Sequence, residues 1–427
     1  MYFSSPYSPR KYYVDSANGD DANNGNYNAP IKSLAAVSNL LLLPGDKLLF
    51  RRGETWINET LTIAHSGITD LPITISAYGD AKDAPVFFGG ELLSGWIRHD
   101  TNIWKLAREY DWLGAIMMGG QRLRMSASIG DLADVQFYWG EEEDLYLYSA
   151  TQPRDVYVAG RTNLIYMFDQ HNIKIGGISC ELSRYANIHI DGCKNVTVKN
   201  CTIKNGRIYG LFFDGGTKLE ASSVTAEFNA TGIGILSADD VNVSGGTMTN
   251  AWKESIDSSD GDGIAINSSD SIMINSCSCT KNGGSGIAID PGANGVDNVE
   301  IKNSTLSENA SMGLVVGNIN QITVTQNVFA NNFWGGFGLG YAGGNPGVYT
   351  NNHISCNSGR GFYCGNGNLA VDGNIIDCNQ AWKLEAAVVI GSDNNAFKDG
   401  ISFAVGLNVY TLEEWKQTGN DNNSRII

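Results

Sequence analysis

The chain is short of charge, proline and histidine. Only 17% of its 427 residues are charged while 42% are hydrophobic, a balance that excludes a solvated, disordered chain. Its 9 Pro against 51 Gly leave the turns to glycine and small polar residues. The 5 His are scattered and the 8 Cys form no CxxC. No apolar run is long enough to cross a bilayer, Leu40 to Leu43 being a short patch, and no membrane insertion is expected. Residues 1–12 lack the apolar core of a signal peptide, which predicts a mature chain or one exported by another route. Basic residues are also scarce: the formal net charge of −16 disfavours nucleic acid or an anionic membrane as partner. An anionic sugar would need only a local basic patch.

What the chain does have is a repeat. Short strand-like pieces align at Asn172-Ile-Lys-Ile, Asn195-Val-Thr-Val, Lys218-Leu-Glu-Ala, Asp240-Val-Asn-Val, Ser271-Ile-Met-Ile, Asn298-Val-Glu-Ile, Gln321-Ile-Thr-Val, Gly347-Val-Tyr-Thr and Asn368-Leu-Ala-Val. A period of this length with two-residue alternation inside each unit is a solenoid signature. One column, Cys180, Ile203, Ala226, Met248, Cys279, Leu306, Phe329, Ile354 and Ile376, is apolar throughout, as a core shared between coils requires. Asn200, Ser223, Gly245, Ser276, Asn303 and Gln326 occupy a turn position suited to amide ladders. Several Cys fall at inward positions and read as buried, mostly free thiols, with pairing between adjacent coils open in an oxidising compartment.

Before the repeat, Tyr12–Val14, Lys47–Phe50, Leu61–Ile63, Ile73–Ile75 and Val86–Phe88 read as strands. Pro30 to Leu43 reads as one helix capping the open end of the stack. Asp15 to Gly25 reads as a solvated Asx/Gly turn. The chain divides into an N-terminal strand and capping helix (1–45), early coils with an irregular elaboration (46–170), regular coils (171–400) and a C-terminal extension (401–427).

On these residues the chain resembles the right-handed parallel β-helix proteins of the pectate-lyase-like superfamily. The unit Asn195-Val-Thr-Val-Lys-Asn-Cys-Thr-Ile-Lys-Asn, the entry Tyr12-Tyr-Val-Asp with Pro44-Gly-Asp-Lys-Leu-Leu-Phe, and the tail around Glu414-Trp415 carry the resemblance. It implies an all-β, single-stranded right-handed parallel β-helix. For function it implies only a class, since the fold hosts hydrolases, lyases, epimerases and phage tailspikes. The expectation is a polysaccharide or oligosaccharide as partner, an extracellular (secreted or virion-associated) location, and a monomer, or a homotrimer if tailspike-like.

The residues that break the pattern are acidic. Trp252-Lys253-Glu254-Ser-Ile-Asp257-Ser-Ser-Asp260-Gly-Asp262-Gly is an overlong turn in an otherwise Ser, Asn and Gly-rich repeat. If Leu211 and Phe213 point inward, alternation sends His189, Phe212, Gly234, Ala265, Ala288, Val315, Gly338 and Tyr363 outward, beside Asp191, Asp214, Leu236, Asn267 and Asp290. This predicts a shallow trough of small residues with Asp262 set below Asp290 and Glu254, Asp257 and Asp260 over the same face. Paired carboxylates about 6.5–9.5 Å apart perform inverting glycoside hydrolysis, one of them kept protonated by its neighbours. Asp260, Asp262, Asp290, Asp214 and Glu254 are therefore the candidate catalytic acids. Trp252, Lys253, Asp257, Tyr209, His189 and Trp334 are the candidate sugar contacts. No cofactor is required, although the acids suit Ca²⁺. Two alternatives stay open. One is a lyase or C5-epimerase on a uronate polymer using Lys253, Arg207, Arg184 or His189. The other is a non-catalytic carbohydrate-binding or adhesin β-helix.

Overall fold

The protein, seen in a computed structural model, is described over residues 8–107, 114–140, 144–252, 261–290, 292, 295–317, 319, 321–341, 347–356, 360–366, 368–384 and 389–427. Among these residues, three 13-stranded sheets run the length of the molecule. Each coil contributes one strand to each sheet. Lys194–Lys199 lies in the first sheet, Thr202–Lys204 in the second and Tyr209–Asp214 in the third, and the chain then re-enters the first at Thr217. The solenoid is a right-handed parallel β-helix.

Alternation dictates which side chains go in. In Lys194–Lys199 only Val196 and Val198 are buried, and in Thr202–Lys204 only Ile203. The column from Cys180 to Ile376 is in register rung by rung. It extends to Phe87 and Trp56 at one end and to Phe397 at the other, all fully buried. The corners between strands need left-handed backbone. Asn200, Ser223, Gly245, Ser276, Asn303 and Gln326 all have φ between 51° and 60°. Asparagine tolerates that region best among residues carrying a Cβ, which explains its abundance here.

The buried amide ladder lies one residue beyond the expected position. Asn327, Asn352, Asn374 and Asn395 bond in series: Asn327 Nδ2 donates to Asn352 Oδ1 (3.1 Å), Asn352 to Asn374 (3.1 Å) and Asn374 to Asn395 (3.1 Å). The series ends on buried Asp421, whose Oδ1 accepts from Asn395 Nδ2 (2.9 Å) and whose Oδ2 accepts from Trp415 Nε1 (2.8 Å).

Three expectations change. The N-terminal helix spans only Leu34–Ser38, started by the Ser33 side chain and stopped at Asn39; Leu34 and Val37 still cover the core. Asp15 is buried rather than solvated, paired to Arg51 Nη1 at 2.7 Å. At Gly347 the alignment slips by one, since Val348 pairs with Thr323 and Tyr349 with Val324. Tyr349 consequently points inward between Phe337 and Phe362, and Val348 is exposed. The cysteines fall as expected, mostly free and buried: six are buried thiols, and Cys356 and Cys378, one coil apart, form a disulfide.

The irregular early region is an enlarged turn between the second and third sheets. It leaves strand Val86–Phe88 and returns at Asn163–Phe168, folding two small sheets around Trp96, Leu106, Ile116, Phe137, Leu145 and Leu147. It docks on the coils through Arg122 Nη1, which donates to Gly206 O (3.2 Å) and Phe228 O (2.8 Å). Both acceptors lie in turns between the same two sheets of later coils, the edge that also carries residues 250–252 and 261–263.

Candidate functional site

The outward columns of the third sheet fall in the expected register, Tyr166, His189, Phe212, Gly234, Ala265, Ala288, Val315, Gly338 and Tyr363 being successive neighbours. The trough, however, is partly filled. A Cβ at Gly234 would collide with the Tyr209 ring, and one at Gly338 with the Met312 thioether. Tyr209 stacks on Phe212 at 4.1 Å, so its ring is spent on packing.

At the N-terminal end of this face, Asp191 and Asp214 are neighbours one rung apart. Tyr166 donates to Asp191 Oδ2 (3.2 Å). His189 is 7% exposed, stacked on Phe212 at 5.1 Å. Its Nε2 stands 3.5 Å from Asp214 Oδ2, yet neither ring nitrogen has a hydrogen-bond partner. Burial pushes the imidazole below its ordinary 6.5 despite the nearby Asp191 and Asp214, so at neutral pH the ring is uncharged and no ion pair forms. Burial likewise lifts the Tyr185 phenol to about 12.

The other described acids do not converge. Asp290 is exposed and lies opposite Asn267, three rungs from Asp214, roughly 14 Å away by strand spacing. Asp262 is not beneath Asp290. It is level with Ser285, whose N–H donates to Asp262 Oδ1 (2.6 Å), roughly 17 Å from Asp290. Asp262 is 7% exposed and holds the adjacent coil. Asp214, Asp262 and Asp290 therefore cannot make the 6.5–9.5 Å pair among themselves. Lys253, Glu254, Asp257 and Asp260 lie outside the described residues. Among the described residues, no three His, Cys, Asp or Glu side chains gather as a metal site.

A concave surface lies at the turn edge and centres on Trp252. The Arg122 and Arg124 guanidiniums sit 5.6 and 4.9 Å from its ring. A cavity of about 180 Å³ is enclosed by Trp252, Arg207 and the elaboration's Arg122, Met125, Phe137 and Trp139. Two further cavities, of about 680 and 530 Å³, adjoin it and share Trp252. Arg184 and Arg207 head neighbouring strands on this edge; burial first, then the charge of Arg207, lowers the Arg184 pKa. Both ends of the acidic stretch are anchored here. Trp252 N–H donates to Asn229 O and Gly261 N–H to Ala230 O, each at 2.7 Å. Trp334 stands further along the same edge, exposed and edge-on to Phe333 at 5.4 Å.

Sequence reasoning missed Arg122, Arg124, Phe137 and Trp139. The pair Arg122-Leu-Arg124 in a chain of net charge −16 was the available signal.

A stretch of 76 residues, 17% of the chain, is 50% identical to a lacto-N-biosidase of Bifidobacterium longum subsp. longum, and spans 5% of that protein. Among solved structures, the fold is similar to XylC in complex with xylose (TM-score 0.72, 12% identity, 97% of this chain and 86% of that one). It is also similar to a glycoside hydrolase (TM-score 0.61, 11% identity, 96% and 98%). The Dettilon tailspike protein follows at TM-score 0.51 and 12% identity, over 90% and 62%. At these identities the likeness is one of fold. Residues 136–248, 186–349 and 253–410 match the family described as right handed beta helix region, and with more than half of its length so matched the chain belongs to that family.

Proposed function

We propose that the protein is a carbohydrate-active enzyme that cleaves an extracellular polysaccharide by glycoside hydrolysis in the Trp252 groove, with the acids of residues 254–260 supplying the paired carboxylates. One observation carries this reading. Both ends of the acidic stretch are pinned to Asn229 and Ala230, and Trp252 lines all three adjoining cavities. Clustered carboxylates raise the pKa of one member and so provide a general acid. The local likeness to a lacto-N-biosidase, and the fold shared with a glycoside hydrolase, support this choice. The reaction requires no cofactor. The Cys356–Cys378 disulfide fits an oxidising, extracellular setting.

A screen of polysaccharides for new reducing ends tests the proposal, with Asp260→Asn and Glu254→Gln each expected to lower turnover by on the order of 10²–10⁴. Full activity in both variants would refute the assignment. A second reading draws on Arg122, Arg124, Arg184 and Arg207 at the same edge, which could neutralise a uronate carboxylate for elimination or epimerisation. Ultraviolet absorbance from an unsaturated uronide among the products would favour elimination.

A further inference from the structure

Trp252 is one member of a column that continues along the turn edge. Its N–H donates to Asn229 O, as Gly283 N–H does to Ala251 O, Ala310 N–H to Asn282 O and Phe333 N–H to Asn309 O. Four successive coils thus place tryptophan, glycine, alanine and phenylalanine at one equivalent position. Trp252 and Phe333 are three rungs apart, roughly 14 Å. Gly283 and Ala310 floor the cavity of about 530 Å³ that starts at Trp252, with Lys281 and Glu308 on its side. Phe333 and Trp334, 64% and 57% exposed, follow one rung beyond Ala310. The column is rigid, because Asn282 Nδ2 donates to Asn309 Oδ1 (2.9 Å) and Asn309 Nδ2 to Asn332 Oδ1 (2.8 Å) directly beneath it.

We infer that this ridge is an extended track for a glycan chain lying parallel to the solenoid axis, one sugar face on Trp252 and another on the Phe333–Trp334 pair. The inference rests on the groove reading above and deepens it: the substrate is a chain long enough to reach both aromatic platforms, not a single sugar. The apolar faces of sugar rings suit aromatic side chains separated by residues too small to block them. Lys281 and Glu308, a salt-bridged pair at 3.9 Å, offer a donor and an acceptor to ring hydroxyls while leaving the track without net charge at that point. The pre-ordered backbone means that little is lost on binding.

The test is retardation of the full chain in native gels cast with xylan, pectin, β-glucan or galactan. Wild type is expected to be retarded by at least one polymer. The Phe333→Ala/Trp334→Ala variant is expected to lose roughly tenfold in apparent affinity, the order expected for burying one aromatic face. Ala310→Trp, which blocks the floor, should lose retention as well, and unchanged melting temperatures establish that both variants fold. No retardation of wild type on any gel, or equal retardation of wild type and both variants, overturns the track. Reducing-end release from the same polymers is scored separately. Cleavage with retention unchanged in the variants removes the track and spares the enzyme; retention lost in the variants without any cleavage does the reverse.

Discussion

His189 illustrates how one buried side chain sets a pH dependence. Its folded pKa lies below the unfolded value, so the unfolded chain binds the proton more readily. Its contribution to stability is therefore complete above about pH 6.5 and is lost as pH falls towards the folded pKa. His189→Phe, continuing the stack of Tyr166 and Phe212, is expected to remove that slope and to exceed wild type in stability at the acid end; parallel melting curves for the two would contradict it. Asp15 acts lower on the scale. Burial would raise its carboxyl, but bonds from the Asn18 backbone, Arg51 and the Asn18 side chain together hold it below the ordinary 3.8. Its stabilisation is present above that value and fades as pH drops through the folded pKa. Thermal melts from neutral to acid pH should show Asp15→Asn less stable than wild type near neutrality, with the gap closing as pH falls.

At the scale of the element, the asparagine ladder is a shared device and its members are not interchangeable. Asn374 accepts from Asn352 N–H (2.8 Å) and Nδ2 (3.1 Å), and donates to Tyr349 O (2.9 Å) and Asn395 Oδ1 (3.1 Å). Asn374→Ala leaves several of those groups buried without partners. It is expected to cost about 2–3 kcal/mol in urea denaturation, whereas alanine at solvent-facing Asn394, which loses an exposed bond to Asp372 and takes on the strain of left-handed backbone, should cost about 1 kcal/mol. The ladder was misplaced by one residue from sequence because amide or hydroxyl residues occupy both positions, as in Asn303-Ser304, Gln326-Asn327 and Asn351-Asn352. Only burial tells them apart. The strand columns were legible because alternation and period fix which face each residue takes. Tyr349 escaped because the extra residues at 342–346 shift the phase and a phenol reads as a surface group. The helix was over-read because the apolar Leu40–Leu43 run follows it directly. At the site, Trp252 and Arg207 could be found by position in the repeat. Arg122 could not, since its bonds to Gly206 and Phe228 span 84 and 106 residues.

For the whole molecule, stability is close to a sum over coils and their interfaces. The Cys356–Cys378 bond joins adjacent coils across 22 residues near the C-terminal end. Replacing both with Ser is expected to cost about 3 kcal/mol, and a reductant should lower the wild-type melting temperature while leaving that of the variant unchanged. The enlarged turn between the second and third sheets has a different consequence. Gly160 N–H donates to Gly89 O (2.8 Å), closing the turn at its neck, while Leu61–Ile63 and Ile165–Met167 pair as though nothing intervened. Some seventy residues thus enter and leave the solenoid through one narrow doorway. The insert is therefore expected to be exchangeable: a different module with adjacent termini, spliced at the same neck, would re-roof the groove while the coils beneath kept their register, which unchanged thermal melting of the coils would check.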